Sequence, residues 1–313
     1  MTTRVLIATL AAGALVAAGC GSKSSAATER TQSTTAPAAT RSAVAPAAHA
    51  AAKGPCGKAK HAPARYAHVV WIVMENHAYG DVIGSSEAPY ENQLAKRCAL
   101  ATNFRAETHP SLPNYLAMTS GSTQGVSDDD PPSSHPLSAP SIFSQLGGGW
   151  RALQESMHSN CALANSADYA VRHNPATYFT NIRAACARQN VPLGASPNLS
   201  AKFTFVTPNL CNDTHDCSVS TGDRWLQTFM GKVFASRPYR ARTMAVFLTW
   251  DEDDSGHGNH IATIVAAPAV KPGRTSGRAF THYSMLRTTE QMLGLGFVGE
   301  AASAASMRRA LGV

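Results

Sequence analysis

The sequence predicts an α/β fold with a mainly parallel sheet sandwiched by helices. Three observations predict it. Four continuous apolar runs, rich in β-branched residues, have the length and character of strands buried on both faces. Helix-patterned stretches lie between and after them. Acidic, amide and imidazole residues follow the runs directly, as expected where ligands sit beyond the carboxyl ends of parallel strands.

The first run is AHVVWIVM, 67–74. Helix-like PYENQLAKRC, LPNYLAMTS and APSIFSQL follow it. The polar loop GSTQGVSDDDPPSSHP, 121–136, is expected near the site. The second run is FTFVTP (203–208), followed by the helical GDRWLQTFMGKVFAS. The third and fourth are RTMAVFLTW (242–250) and HIATIVAAP (260–268), and THYSMLRTTEQMLGL then closes the pattern as a helix. Residues 150–200 carry no clear periodicity.

The N-terminal part reads differently. An apolar run from Val5 to Ala18 is too short for a comfortable membrane span but has the size of a signal-peptide core. The small residues before Cys20 are similar to a bacterial lipobox, although Ala17 stands where leucine is commonest. Residues 1–19 are therefore expected to be a lipoprotein-type signal peptide, with Cys20 as the lipid-bearing membrane anchor. Residues 20–64 are Ala, Ser, Thr, Pro and Lys with almost no large apolar side chain, which predicts a disordered tether. Residues 65–313 are the expected catalytic domain, exported as a cell-envelope lipoprotein or a secreted protein.

This division also explains the charge. The chain carries a net +7, and six of those charges lie in residues 1–64. The pI of 9.1 is therefore a property of the tail. It argues for a basic tether near an anionic membrane and not for nucleic-acid binding. Besides Cys20 there are Cys56, Cys98, Cys161, Cys186, Cys211 and Cys217. An even set in an exported chain predicts disulfides, with Cys211–Cys217 the first expected pair and Cys161–Cys186 the second.

Four segments bring chemistry to the predicted strand edge. They are Glu75-Asn76-His77, NLCNDTHDC with Asp213 and His215, DEDDSGHGNH with Asp251, Glu252 and His260, and ETHPSLPNYLAMTSG with His109 and Ser111. Each has a bland reading alone. Ser111 would be a helix cap, Asp251-Glu252 a solvated turn, and the histidines satisfied surface or core groups. Together, like charges at one edge would repel unless a cation sat among them. Carboxylates and imidazoles suit a hard or borderline divalent ion. His77, Asp253, Asp254, His257 and His282 are read as structural or supporting. The sequence contains no G-x-S-x-G elbow, no H-E-x-x-H and no Walker loop, which disfavours serine esterases, common zinc proteases and nucleotide-driven chemistry.

The motifs VVWIVMENHAYGDVIG, THPSLPNYLAMTSG, TPNLCNDTHDCS, TWDEDDSGHGNHIATIVAAPAVKPG and THYSMLRTTEQMLGL resemble, in order, the phosphoesterase family of bacterial acid phosphatases and phospholipases C. That family belongs to the alkaline phosphatase superfamily. In size and export the chain looks closest to secreted mycobacterial-type acid phosphatases, some of which act on phosphoinositides. The resemblance implies an alkaline phosphatase-like fold and a divalent cation, whether calcium, magnesium, manganese or zinc. It implies Glu75, Asn76, Asp251 and Glu252 as ligands, with Ser111 and Asp213 completing the set. It implies Ser111 as nucleophile, with Thr108 the competing candidate, and a phosphoserine intermediate hydrolysed by water. His109, His215 and His260 are implied as phosphate-binding, proton-transfer or additional metal groups. One departure is Ala78, where serine is common in the family. The expected function is a metal-dependent phosphomonoesterase acting on phosphate esters, phospholipid or phosphoinositide among them. The rivals are a phosphodiesterase on lipid head groups and a non-catalytic lipoprotein that binds metal or anions.

Overall fold

The computed structural model describes residues 54–313. The expected signal peptide, Cys20 and most of the expected tether lie outside the described residues. In chain order the strands are β1 (His68–Met74), β2 (Ala99–Arg105), β3 (Trp150–Gln154), β4 (Asn190–Pro192), β5 (Phe203–Thr207), β6 (Met244–Trp250), β7 (His260–Ala266), β8 (Arg274–Ser276) and β9 (Phe280–Thr281). They form one sheet in the order β4-β3-β5-β1-β6-β7-β2-β8, with β9 beside β2. All pairings are parallel except the two made by β7.

The apolar runs become the middle of this sheet. Residues 69–74 of β1 are fully buried, and every residue of β6 is buried. A strand covered on both faces has no reason to alternate, hence the unbroken run. The covering helices are α1 (Tyr79–Val82), α2 (Pro89–Arg97), α3 (Ser111–Ser120), α4 (Ile142–Leu146), α5 (Arg183–Gln189), α6 (Val219–Ala235), α7 (Arg237–Arg240), α8 (His282–Leu293) and α9 (Arg308–Leu311). On the face carrying α3, α4 and α8, Trp71 meets Phe203 edge-on at 4.8 Å and Phe143 packs on Trp150 at 4.8 Å. Trp71 Nε1 donates to Thr289 Oγ1 of α8 at 3.0 Å, so the indole is buried without an orphaned polar atom. On the other face α2 packs against α6.

Three parts of the architecture were not legible in advance. β2, ALATNFR, alternates too irregularly to read as a buried strand, because a register shift between Ala101 and Phe104 breaks its ladder with β7. β3, β4 and α5 lie in the region without periodicity. The folded body also begins earlier than residue 65. Cys56 is buried and bonded to Cys98, the Gly57 N–H donates to Val270 O, and Arg308 donates to the carbonyls of Pro63 and Ala64. Composition alone misassigned residues 54–64 to the tether, because their order comes from a covalent bond and main-chain contacts and not from apolar side chains.

The disulfides are Cys56–Cys98, Cys161–Cys186 and Cys211–Cys217. The last two are the pairs expected from sequence. Loop-closure entropy ranks their contributions. The 42-residue separation of Cys56–Cys98 should stabilise by about 4 kcal/mol and the 6-residue separation of Cys211–Cys217 by about 2 kcal/mol. Paired Cys→Ser variants unfolded in urea check the ranking; equal losses, or the reverse order, contradict it.

Candidate active site

β1 and β6 are adjacent and parallel, so their carboxyl ends deliver Glu75-Asn76 and Asp251-Glu252 side by side. The Asp251 N–H donates to Met74 O at 3.0 Å, carrying the β1–β6 ladder one residue into the site. From the other side of β1, the loop after β5 brings Asp213. The Glu75 N–H donates to Asp213 O at 2.8 Å, and Thr214 Oγ1 donates to Glu75 O at 2.9 Å. That loop is held by the Cys211–Cys217 bond and by Glu155, whose Oε2 accepts from Asn209 N and Asn212 Nδ2 at 3.0 Å each. Helix α6 approaches the loop through Gly222, where a Cβ would sit 2.3 Å from Thr214 Cγ2.

Ser111 opens α3 but does not cap it. The N-cap is Pro110, and all ten residues of the helix are buried. The Ser111 hydroxyl lies 3.2 Å from both Glu75 Oε2 and Glu252 Oε1, so its single proton is shared between two carboxylates. Asn114 fixes the approach. Its Oδ1 accepts from the N–H groups of Glu107 and Thr108 at 3.1 Å, and its Nδ2 donates to Thr108 O at 2.7 Å and Glu252 Oε2 at 3.2 Å. The Thr108 hydroxyl points away, donating to His109 O. At its far end α3 stops at Gly121, with φ of 71°, where a Cβ would stand 2.3 Å from Val298 O.

Glu75, Asp213, Asp251 and Glu252 are thus gathered and buried. Burial pushes the Glu75 carboxyl well above its usual range, and the charges of Asp251 and Asp213 push it further. Burial likewise raises Asp213, lifts Asp251 to about 6 and, with Asp251 beside it, lifts Glu252 to about 9. Tyr115 donates its hydroxyl to Glu75 Oε1. His173 sits against the same group, with Nε2 3.2 Å from Glu75 Oε2 and Nδ1 3.4 Å from Asp213 Oδ2. Burial and the nearby Arg172 hold it well below the usual histidine range, so it is a neutral imidazole.

The arrangement fits a divalent cation. Glu75, His173 and Asp213 each offer a ligand atom, all within 4.8 Å of one another. His173 Nε2, Asp213 Oδ2 and Asp251 Oδ2 are buried without a hydrogen-bond partner. Such orphans are costly unless something binds them. Asn76, in the left-handed region at φ of 43°, donates its amide nitrogen to Glu75 Oε2 at 2.8 Å and Asp251 Oδ1 at 3.2 Å. A cavity of about 730 Å³ is lined by His77, Asp81, Glu87 and Asp254, and Glu75, Ser111 and Asp251 do not line it.

The remaining expected residues divide. His109 joins the group, with Nδ1 2.8 Å from Glu252 Oε2 and Nε2 3.2 Å from Asp253 Oδ1. His215 lies at the rim, its Nδ1 2.6 Å from Asp216 Oδ1 and its Nε2 3.1 Å from Arg172 Nη2. His260 does not join. It stacks on Tyr79 at 4.5 Å and contacts Thr102 O at 3.1 Å. Because β7 runs antiparallel, its first residue reaches the right edge but stands in register with Arg105 of β2. Its neighbour Asn259 does the connecting instead. Asn259 Nδ2 donates to Thr108 O at 2.7 Å and its Oδ1 accepts from Asp253 N at 3.0 Å. His173 and Arg172 were missed because a 3₁₀ turn (Val171–His173) in an aperiodic region gives no sequence signal. Asn114 and Tyr115 lie inside the SLPNYL motif and were legible as neighbours of Ser111.

The phosphoesterase family pattern matches residues 84–296. The chain belongs to the phosphoesterase family. It is therefore a hydrolase acting on phosphoric esters. It is 34% identical over 257 residues to a phosphatidylinositol-3-phosphatase of Mycobacterium tuberculosis, covering 79% of this chain and 84% of that one. It is 27% identical to a phosphate-repressible acid phosphatase of Penicillium chrysogenum, where the match covers 66% of this chain but only 55% of the longer relative. A solved protein of the alkaline phosphatase superfamily from Vibrio parahaemolyticus superposes with a TM-score of 0.51 at 13% identity, over 76% of this chain and 69% of that one. This last likeness shows the shared fold.

One supporting pair in this phosphoesterase has a pH signature. His282, the first residue of α8, lies 2.6 Å from Glu107 Oε2 and 3.0 Å from Trp250 O, joining the helix to both site-bearing segments. Burial pulls the imidazole down, but Glu107, the Trp250 carbonyl and the Asp251 charge together outweigh it, and the folded value is raised. The pair therefore stabilises fully below the unfolded value of about 6.5, and the stabilisation is lost as pH rises through the folded value. Glu107→Gln should cost more stability at pH 5.5 than at pH 8.5 in urea unfolding. A cost independent of pH would show that His282 is not charged.

Proposed function

We propose that this phosphoesterase is an exported, metal-dependent phosphomonoesterase of the acid-phosphatase type that uses Ser111 as nucleophile. The observation that carries the reading is the placement of a buried hydroxyl, free of any capping duty, between Glu75 and Glu252. Glu75, Asn76, Asp251 and Glu252 would hold the cation, with Asp213 and His173 on the far side of Glu75. When bound, the cation supplies positive charge that favours the serine alkoxide and draws a phosphoryl oxygen.

The chain's own residues do the rest. A carboxylate of Glu75 or Glu252 takes the Ser111 proton. Ser111, fixed in place by buried α3 and by Asn114, attacks phosphorus in line. The Ser111–phosphorus bond forms, the bond to the leaving alcohol breaks, and phosphoserine results. His109, tied to Glu252 and Asp253 and partly exposed, is placed to protonate the departing alkoxide. Water then hydrolyses the phosphoserine and returns the serine. The M. tuberculosis relative supports a phosphoinositide among the substrates. Three disulfides support an oxidising compartment, and the leader and Cys20 support export and a lipid anchor.

Ser111→Ala should lower hydrolysis of p-nitrophenyl phosphate by at least about a thousandfold, whereas Thr108→Ala should keep activity within about threefold. EDTA should abolish turnover, and a divalent ion should restore it. Survival of activity in Ser111→Ala rejects the nucleophile. Turnover of bis-p-nitrophenyl phosphate at the monoester's rate rejects the monoester preference. A release assay with phosphatidylinositol phosphates in vesicles tests the lipid substrate.

A further inference from the structure

The start of α3 already holds an anion. The Leu112 N–H, adjacent to Ser111, donates to Asp129 Oδ1 at 2.9 Å, although Asp129 belongs to the polar loop beyond the helix. Its other oxygen, Oδ2, lies 3.8 Å from Arg172 Nε. Arg172 in turn contacts His215 at the rim, and its charge is felt by Glu75 and Asp213, while the charge of Asp129 is felt by Glu252. A carboxylate therefore stands beside the proposed nucleophile, on a helix-start N–H and next to a guanidinium. Those are the two donors a phosphate would seek. Asp251, which also meets the Ser111 hydroxyl, has its Oδ2 buried and unpartnered, so the group calls for a cation to which a phosphoryl oxygen would then be drawn.

We propose that Asp129 is a resident stand-in for the substrate's phosphate, and that Arg172 exchanges the Asp129 carboxylate for a phosphoryl oxygen when substrate binds. This inference rests on the phosphoesterase reading of Ser111 and deepens it. The exchange needs only a side-chain rotation. The Asp129 side chain is 37% exposed while Arg172 is 19% exposed, so the carboxylate has solvent to turn into. The backbone on either side is tethered. Tyr178 donates to Asp130 O at 3.0 Å, and His135 Nε2 lies 2.5 Å from Asp128 Oδ1. The consequence is competition. Free inorganic phosphate and weakly bound esters must displace a covalently attached anion, so the resting charge screens the site against phosphate and lowers product inhibition.

Asp129→Asn separates this role from capping. Asparagine accepts the Leu112 N–H as well as aspartate does, so a mere cap is preserved. If Asp129 competes with phosphate, removing its charge should tighten both the inhibition constant of inorganic phosphate and KM for p-nitrophenyl phosphate about tenfold. The gain should shrink when Arg172→Gln is added, because the two charges share one ligand. Asp129→Ala, which removes charge and hydrogen bond together, is the second variant: a merely structural acceptor would lose stability without tightening phosphate. Binding of inorganic phosphate is also measured by calorimetry in the Ser111→Ala background. Active enzyme whose phosphate inhibition and KM are unchanged or weaker in both variants overturns the proposal alone. Absence of phosphate binding and of hydrolysis in every protein overturns it together with the reading on which it rests.

Discussion

Four carboxyl groups share one water-poor space at the carboxyl ends of β1 and β6, and the site is organised around the cost of that crowding. Glu75 is the centre. It faces Ser111, Tyr115 and His173, and its main chain is bonded to Asp213 and Thr214. The protein's own donors are too few to meet these oxygens. Protonation relieves part of the repulsion, which is why burial and mutual charge drive Glu75, Asp213 and Glu252 upward. A divalent cation relieves it more completely and keeps the carboxylates ionised. The same shortage of donors that makes the group costly on its own makes its chemistry fit a cation.

That constraint explains how much of the fold is spent on rigidity near the site. The groups must be held together against their repulsion. The β1–β6 ladder, the buried length of α3, the Cys211–Cys217 bond and the Asn114 and Asn259 side chains, which bracket the Thr108 main chain, each fix one segment. Main-chain anchoring suits the task because it leaves the side-chain oxygens free for a ligand. Asp253 shows the same logic from the supporting side. Its two oxygens accept N–H groups from Ser255, His257 and Asn259, so the acidic turn after β6 is stabilised by one of its own carboxylates.

Cations are scarce at this edge, and that gives Arg172 its weight. It connects the loop after α3, the rim histidine His215 and the acidic centre. On the reading proposed above, Asp129 and Arg172 set the terms on which an anionic ester enters, while Glu75, Asp251 and Ser111 set the chemistry once it is there. Entry and reaction then rest on different residues, which can vary separately.

The sequence by itself determined the layered α/β class, the central strands, and most of the candidate site. Fully buried strands need unbroken apolar runs, and residues just beyond such runs share an edge, so Glu75, Asn76, Asp251 and Glu252 were legible from position alone. Asp213 was legible from the motif after its run, and Ser111 from the family resemblance of its own motif. Tertiary structure alone decided the rest. It placed His173 and Arg172 from an aperiodic stretch, showed that Ser111 is at the first helical position with its hydroxyl free of capping, and held His260 away from the group against Tyr79 and the β2 main chain. It also brought Asp129 onto the helix start from a loop that composition describes only as polar. Periodicity and adjacency report what a residue's own segment does. Strand direction and the meeting of distant loops depend on how the segments pack, and no local pattern carries that information.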